Sequence, residues 1–244
     1  IFEYQRFVSD KTASAMDQLS EFTHVCTWVF AFLGRLLFKL NSRDRWQVVL
    51  WIIGHAGTGK STLIDVMKMF FRNEDVGIVQ NNMDPKFGME SYINMTGPDT
   101  GRFKRLLVCP EVKNGFGMPQ SIFQQLASGD AVSVQRKGLR NVIIENPECN
   151  MFNVGNEGPG YDETSGAFGR RSIEVQFLEE VADQHKDGLL IQRFASRELG
   201  RFLVKSCRAY REMSEKYGSY SVWGSDPFRE GAILPNYFHL SRKR

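Results

Sequence analysis

The chain has 244 residues, 42% hydrophobic and 24% charged, with a formal net charge of +3. That make-up fits an ordinary globular protein of one large domain, or one core with helical additions, and excludes a low-complexity or collagen-like chain. So mild a charge also excludes binding driven by bulk charge, so any basic surface has to come from local clustering. Four scattered cysteines, Cys26, Cys109, Cys149 and Cys207, form no Cys-x-x-Cys pair and no Cys/His cluster. They argue for reduced thiols in an intracellular setting and against a zinc site. The apolar run 25–33 is too short for a bilayer and is followed by Arg35 and Lys39, so it reads as a buried helix with no membrane role. The chain opens on Ile1, which suggests a piece of a longer polypeptide.

Residues 1–45 predict a helical segment. Trp28, Phe32, Leu36 and Leu40 recur every four positions, giving a helix from about Lys11 to Leu40, and the polar Asn41-Ser42-Arg43-Asp44 ends it. Residues 46–53 are apolar and β-rich, a buried strand. They run into Gly54-His55-Ala56-Gly57-Thr58-Gly59-Lys60-Ser61 and Thr62, which fits the pattern G-x-x-x-x-G-K-[ST] at every position. Leu63, Val66, Met67 and Phe70 then predict a helix from Ser61 to Arg72. Strand, glycine-rich loop and helix together are the context of a phosphate-binding loop. The glycines let backbone N–H groups and the helix N-terminus face phosphates. Lys60 is placed to reach the β- and γ-phosphates of a nucleoside triphosphate, and Ser61 to bind Mg²⁺. A glycine-rich turn that binds nothing would not need all three conditions.

The block 46–180 alternates further short apolar strands with helices, at 76–80, 106–109, 151–154 and 173–177. This predicts an α/β core, a mainly parallel five-stranded sheet with helices on both faces. Leu106-Leu107-Val108-Cys109-Pro110-Glu111 reads as an apolar strand ending in a carboxylate, where Glu111 orients an attacking water or helps hold Mg²⁺. Many ATPases carry two adjacent acids here, and Pro110 stands in place of the first, leaving both duties to Glu111 or one to water. A short helix over 119–127 leads through Ser128-Gly129-Asp130 into a hairpin with Arg136, Lys137 and Arg140 at its tip, chemistry suited to a phosphate backbone or simply to solvent. The strand 151–154 runs into Gly155-Asn156-Glu157-Gly158-Pro159, which is good turn chemistry. It also puts Asn156 where ligands bind at the carboxyl ends of α/β sheets. Arg170-Arg171 precedes the last core strand, as an arginine finger toward a neighbour's nucleotide or as a surface ion pair. Residues 181–244 predict a helical extension and tail: a long helix over 189–217 closed by Gly218, and an ending in Arg242-Lys243-Arg244.

The order of these blocks resembles the superfamily 3 helicases, with an AAA+-like core, and most closely the helicase half of the poxvirus-type primase–helicases. The lead-in Leu33-Gly34-Arg35-Leu36-Leu37-Phe38, then Asp44-Arg45-Trp46-Gln47, and the ending Leu234-Pro235-Asn236-Tyr237-Phe238 extend the likeness over nearly the whole chain. The resemblance implies a replicative DNA helicase motor of a DNA virus or mobile element, working inside the host cell. It implies an ATP-hydrolysing ring, usually a hexamer, around single-stranded or forked DNA, often with a primase part ahead of this region. Lys60, Ser61, Glu111 and Asn156 would serve ATP and Mg²⁺ at a subunit interface, Arg170 or Arg171 would reach in from the adjacent subunit, and Lys137 would grip the strand. Two rivals share the loop: a small-molecule or nucleoside kinase, and a ring scaffold that binds ATP without hydrolysing it.

Overall fold

A computed structural model describes residues 5, 7–8, 10–84, 86–114, 116–162 and 166–241; Ile1 and the terminal Arg242-Lys243-Arg244 lie outside the described residues. The centre is a five-stranded sheet of β1 (Val49–Gly54), β2 (Val76–Ile78), β5 (Leu106–Val112), β8 (Asn150–Gly155) and β9 (Ser172–Phe177). Its order is β2-β5-β8-β1-β9, and every pairing in it is parallel. All five strands fall on the apolar runs of the sequence. Successive residues of β1 take opposite faces, as the strand period of two requires. Leu50 and Ile52 join the core under the helices α1 (Ala15–Arg35), α2 (Lys60–Lys68), α5 (Leu199–Tyr217) and α6 (Asn236–Ser241). Val49 and Trp51 join a second core with α3 (Gln120–Ser128) and two small hairpins, β3–β4 (Ile93–Met95, Gly101–Phe103) and β6–β7 (Val132–Val134, Val142–Ile144). Helices therefore cover both faces. No helix among the described residues is long and apolar enough to cross a membrane.

The helical segments at the two ends of the chain form one layer. α1 begins four residues later than its periodicity suggests, because Ser14 caps it: the Ser14 hydroxyl accepts from Asp17 N at 3.2 Å. It ends at Arg35, and Leu36–Leu40 continue as turns. α1 lies along α5, and the approach is so close at Gly34 that a Cβ there would stand 2.1 Å from the Ser206 carbonyl oxygen. Only glycine fits. The helix expected over 189–217 divides at Glu198 (φ −121°) into α4 (Leu190–Arg197) and α5, next to the weak helix former Gly200.

A buried ion pair ties this layer to the sheet. Arg35 grips Asp44 with two bonds, Nε to Oδ2 at 2.8 Å and Nη2 to Oδ1 at 3.1 Å, and donates Nη1 to the Val48 carbonyl at 2.8 Å. Asp44 also accepts from the Tyr210 hydroxyl of α5 at 2.6 Å and from Trp46 N at 2.9 Å. Burial pushes the Asp44 carboxyl upward, but the Arg35 charge and these hydrogen bonds outweigh it and hold it below the usual carboxylate value.

Candidate nucleotide site

The chain leaves β1 for α2, then crosses to β2 at the sheet edge and steps back through β5 and β8 until β8 lies beside β1. The last strand, β9, takes the other side of β1. β1 is thus flanked on both sides by strands added later in the chain, and its carboxyl end opens the crevice where open α/β sheets bind ligands. The glycine-rich loop, 55–59, sits at that point.

The loop's shape follows from its composition. Gly57 (φ +74°) and Gly59 (φ +90°) are left-handed, a conformation costly for other residues, and Gly59 is the N-cap of α2. No side chain caps α2, so its first-turn N–H groups point out of the helix without a side-chain acceptor. Lys60 is folded back over the loop. Its Nζ donates to the Gly54 carbonyl at 2.7 Å and to that of His55, and it is only 8% exposed. Burial lowers its ammonium from the usual lysine value. An ammonium held by two loop carbonyls beside uncapped N–H groups is the donor set of an anion cradle, and it fits a polyphosphate. Ser61 stands exposed in the first turn of α2, with Thr62 half-buried behind it.

One local contact and several remote in sequence hold the cradle. The Thr58 hydroxyl donates to the His55 carbonyl at 2.9 Å, and Val181 N donates to the Gly57 carbonyl at 3.1 Å. Gln5, from the start of the chain, is buried against the loop. Its amide donates to the Glu179 carbonyl at 2.9 Å and the Thr58 carbonyl at 3.4 Å, and it accepts from Glu179 N at 3.1 Å. Nothing in the local sequence around Gln5 announces this clamp. Beyond it a depression of about 370 Å³ opens between Gln5, Val8, Asp10 and Lys11, the end of β9 and α6.

Asn156 and Glu111 reach the same sheet edge. Gly155 of β8 pairs with Ile53 of β1, so Asn156 follows on the adjacent strand, next to the start of the loop and exposed. Strand spacing puts the two backbones about 5 Å apart. Glu111 is not the end of β5, as the sequence suggests, but its penultimate residue. Cys109 opposes Asn153 while Val112 opposes Gly155, so three steps on β5 match two on β8. The extra residue is a bulge at Pro110-Glu111, and a bulge is one of the few places a sheet accepts proline, which has no N–H to donate. Both bulged residues turn outward. Glu111 pairs with Lys113 at 2.9 Å across the surface, and the Asn81 side chain donates to the Glu111 carbonyl. The loops after β5 and β8 are joined through Asn114 N, which donates to the Glu157 carboxylate at 3.0 Å. Asn81 and Glu157 belong to the site's support; Glu157 lies in the block the sequence singles out after the strand 151–154, whereas Asn81 announces itself by neither type nor spacing.

The paired arginines separate. Arg171 is 8% exposed; its guanidinium donates to the Ser128 hydroxyl at 3.1 and 3.3 Å and to the Ala167 carbonyl at 3.1 Å. Burial and the neighbouring Arg170 lower it from the usual arginine value. It is a strut between the last core strand and the end of α3. Arg170 is exposed, and its carbonyl accepts from Trp223 Nε1 at 2.8 Å. The turn is therefore braced from both sides while its first arginine points to solvent. β9 starts beside Val49 and runs to Gly54, so Arg170 lies roughly 17–20 Å from its own chain's loop, at the opposite sheet edge.

The hairpin is present, with Val132 opposite Ile144 and Val134 opposite Val142. Its three cations differ. Arg136 is largely covered, donating to the Pro98 carbonyl at 3.2 Å with Glu90 at 3.7 Å, and Glu90 also accepts from Lys137 N at 3.1 Å. The side chains of Lys137 and Arg140 face solvent beside the exposed Leu139. Residues 81–105, which the sequence leaves without a role, supply these anchors through the β3–β4 hairpin and the turn before it.

Fold and site define a phosphate-loop α/β protein with helices on both faces. Known proteins share parts of this sequence and this fold. The profile of a family of unknown function, DUF5906, matches residues 52–171, from β1 to the braced arginines. Two apo structures of the NrS-1 C-terminal region share the fold. One is 19% identical over 74% of this chain and 43% of that one, with a TM-score of 0.52. The other, spanning its residues 305–718, is 19% identical over 85% of this chain and 53% of that one, with a TM-score of 0.51. The chain spans about half the length of these solved structures. A JCV helicase, 11% identical with a TM-score of 0.39, is too slight a likeness to weigh.

Proposed function

We propose that this chain is the ATP-hydrolysing motor of a ring-forming DNA helicase, of the kind found in DNA viruses and mobile elements. The observation that carries the reading is the division of the site. Lys60, the uncapped start of α2, Glu111 and Asn156 meet at one sheet edge, whereas the braced Arg170 is held roughly 17–20 Å away. An arginine so placed is out of reach of its own chain's nucleotide and would serve one only from a neighbouring copy, through a head-to-tail contact that forms a ring when its rotation closes. A kinase completes its site within one chain.

In this reading the loop N–H groups and Lys60 would bind the β- and γ-phosphates, and Ser61 with Glu111 would hold Mg²⁺. The metal supplies charge that offsets the phosphates. Asn156 holds the γ-phosphate or the attacking water, and Glu111 orients that water. Glu111, paired with Lys113 at 2.9 Å, would have to leave that pair to hold a metal. Lys137 and Arg140 contact the strand's phosphates, with Arg136 fixing the hairpin's base. A hexamer, and a primase part elsewhere in a longer protein, belong to the same proposal.

The test is the ATPase rate of the chain with and without single-stranded DNA at low and moderate salt. Stimulation should fade as salt rises, since phosphate contacts release counterions, and Lys137→Ala should lose it. Robust turnover indifferent to DNA in both chains would defeat the motor reading in favour of a kinase; no turnover at all would favour the scaffold. The braced turn makes a separate prediction. Arg170→Ala should fold normally yet fall about 10³-fold in rate. Mixing with a Lys60→Ala chain should restore activity, because that chain donates an intact finger. Arg171→Ala should instead lower the melting temperature, stranding the Ser128 hydroxyl. If mixing restores nothing, Arg170 is not supplied in trans.

A further inference from the structure

A row of basic side chains lies outside the site and the hairpin. α5 (Leu199–Tyr217) carries Arg201, Lys205, Arg208, Arg211 and Lys216 against Glu212 and Glu215. Arg201, Lys205 and Arg208 fall at i, i+4 and i+7, on one helix face, and border a single shallow depression of about 480 Å³ floored by Val204 and Ala209, with Glu212 at one end. Arg197 extends the row by one step, since helical bonds continue across the break: Phe202 N donates to the Glu198 carbonyl and Glu198 N to that of Phe194, each at 2.9 Å. Among the described residues none of these four cations pairs with a carboxylate. Of the other basic residues of α4 and α5, Arg193 pairs with Asp187 and Arg211 with Glu215, which Arg43 also holds at 3.1 Å, while the Lys216 ammonium lies 4.7 Å from the centre of the Tyr217 ring. Lys205 is fixed by a different contact, its ammonium 4.1 Å from the centre of the Phe30 ring of α1.

We infer that the face of α5 formed by Arg197, Arg201, Lys205 and Arg208 is a second track for the phosphate backbone of a single nucleic-acid strand. The inference rests on the motor reading above and adds a contact remote from the hairpin in sequence. Successive cations rise by about 4.5–6 Å along the helix, a step comparable to that between phosphates of an extended strand. Arginine's planar fork matches phosphate oxygens. The depression offers no large apolar anchor, as an acidic peptide or a membrane would require, since Val204 is the one well-exposed apolar residue in it. No base edge is read, so the track is indifferent to sequence.

The experiment is fluorescence anisotropy of a labelled single-stranded oligonucleotide with the wild-type chain, the double variant Arg201→Ala/Arg208→Ala, the charge-keeping Arg201→Lys/Arg208→Lys, and Lys137→Ala, across a salt series. The alanine double variant should bind roughly tenfold more weakly at moderate salt, with the slope of log affinity against log salt reduced by about 1.4, or about 0.7 per lost phosphate contact. The lysine pair should recover most of both, and its melting temperature should match wild type. If the alanine pair binds with unchanged affinity and slope while Lys137→Ala still weakens binding, the α5 track is wrong and the motor reading stands. If the wild-type chain binds no oligonucleotide, both fall. If the alanine pair loses poly-glutamate or anionic vesicles but keeps the oligonucleotide, the face serves a peptide or a membrane and the inference is overturned.

Discussion

Lys60→Ala should lower ATP turnover by at least about 10²–10³-fold, the cost of removing one preorganised donor from developing charge, and leave a folded chain. The fold survives because the Lys60 ammonium is tied only to the Gly54 and His55 carbonyls of the loop itself. The loop stays clamped by Gln5, Val181 and the Thr58 hydroxyl. The phosphates, in contrast, lose the one cation folded into the cradle. The effect is separable by thermal shift. Mg-ATP in excess should raise the wild-type melting temperature by mass action, about 2.7 kcal/mol at one hundred times Kd, and should barely move that of the variant. A variant that keeps more than a tenth of wild-type turnover would show that Lys60 does not face the reacting phosphate.

The second large effect is on stability. Asp44→Ala should cost about 3–5 kcal/mol, because it leaves the buried Arg35 guanidinium without its counter-charge. That corresponds to a fall on the order of 10 °C in melting temperature for a chain of this size. Arg35 is 5% exposed and the Asp44 side chain not at all, so water cannot replace the lost partner. Tyr210 loses its acceptor in the same change, which loosens α5 from β1. The pH dependence has a definite sign. The folded-state value of Asp44 lies below its unfolded value of about 3.9. Its contribution is therefore fully present above that value and disappears as pH falls through the lower folded value. Urea unfolding between pH 7 and pH 3 should show wild-type stability dropping more steeply at the acid end than that of Asp44→Ala. Parallel curves would mean that the pair contributes no net electrostatic stabilisation.

Much of this protein was legible in its residues because the signals are local. The loop needs glycines at fixed offsets between an apolar run and a helix, and Gly57, Gly59 and Lys60 announce it without reference to anything distant. The five core strands are apolar runs bounded by breakers, and all five appear in the sheet. The hairpin follows from alternation around Gly138, and Asn156 from its place after a buried run. What the sequence could not decide are matters of partnership across the chain. Arg170 and Arg171 are equivalent as text. Ser128, 43 positions away, takes one of them into the interior and leaves the other to solvent. Pro110 looks like a lost acid and is the pivot of a bulge, visible only once β5 is set against β8. Arg136 is largely covered because Glu90 and Pro98 arrive from another part of the chain. Local backbone preference and periodicity are carried by neighbouring residues. Burial, and with it the choice between a structural and a working side chain, depends on packing between segments whose register no single stretch contains.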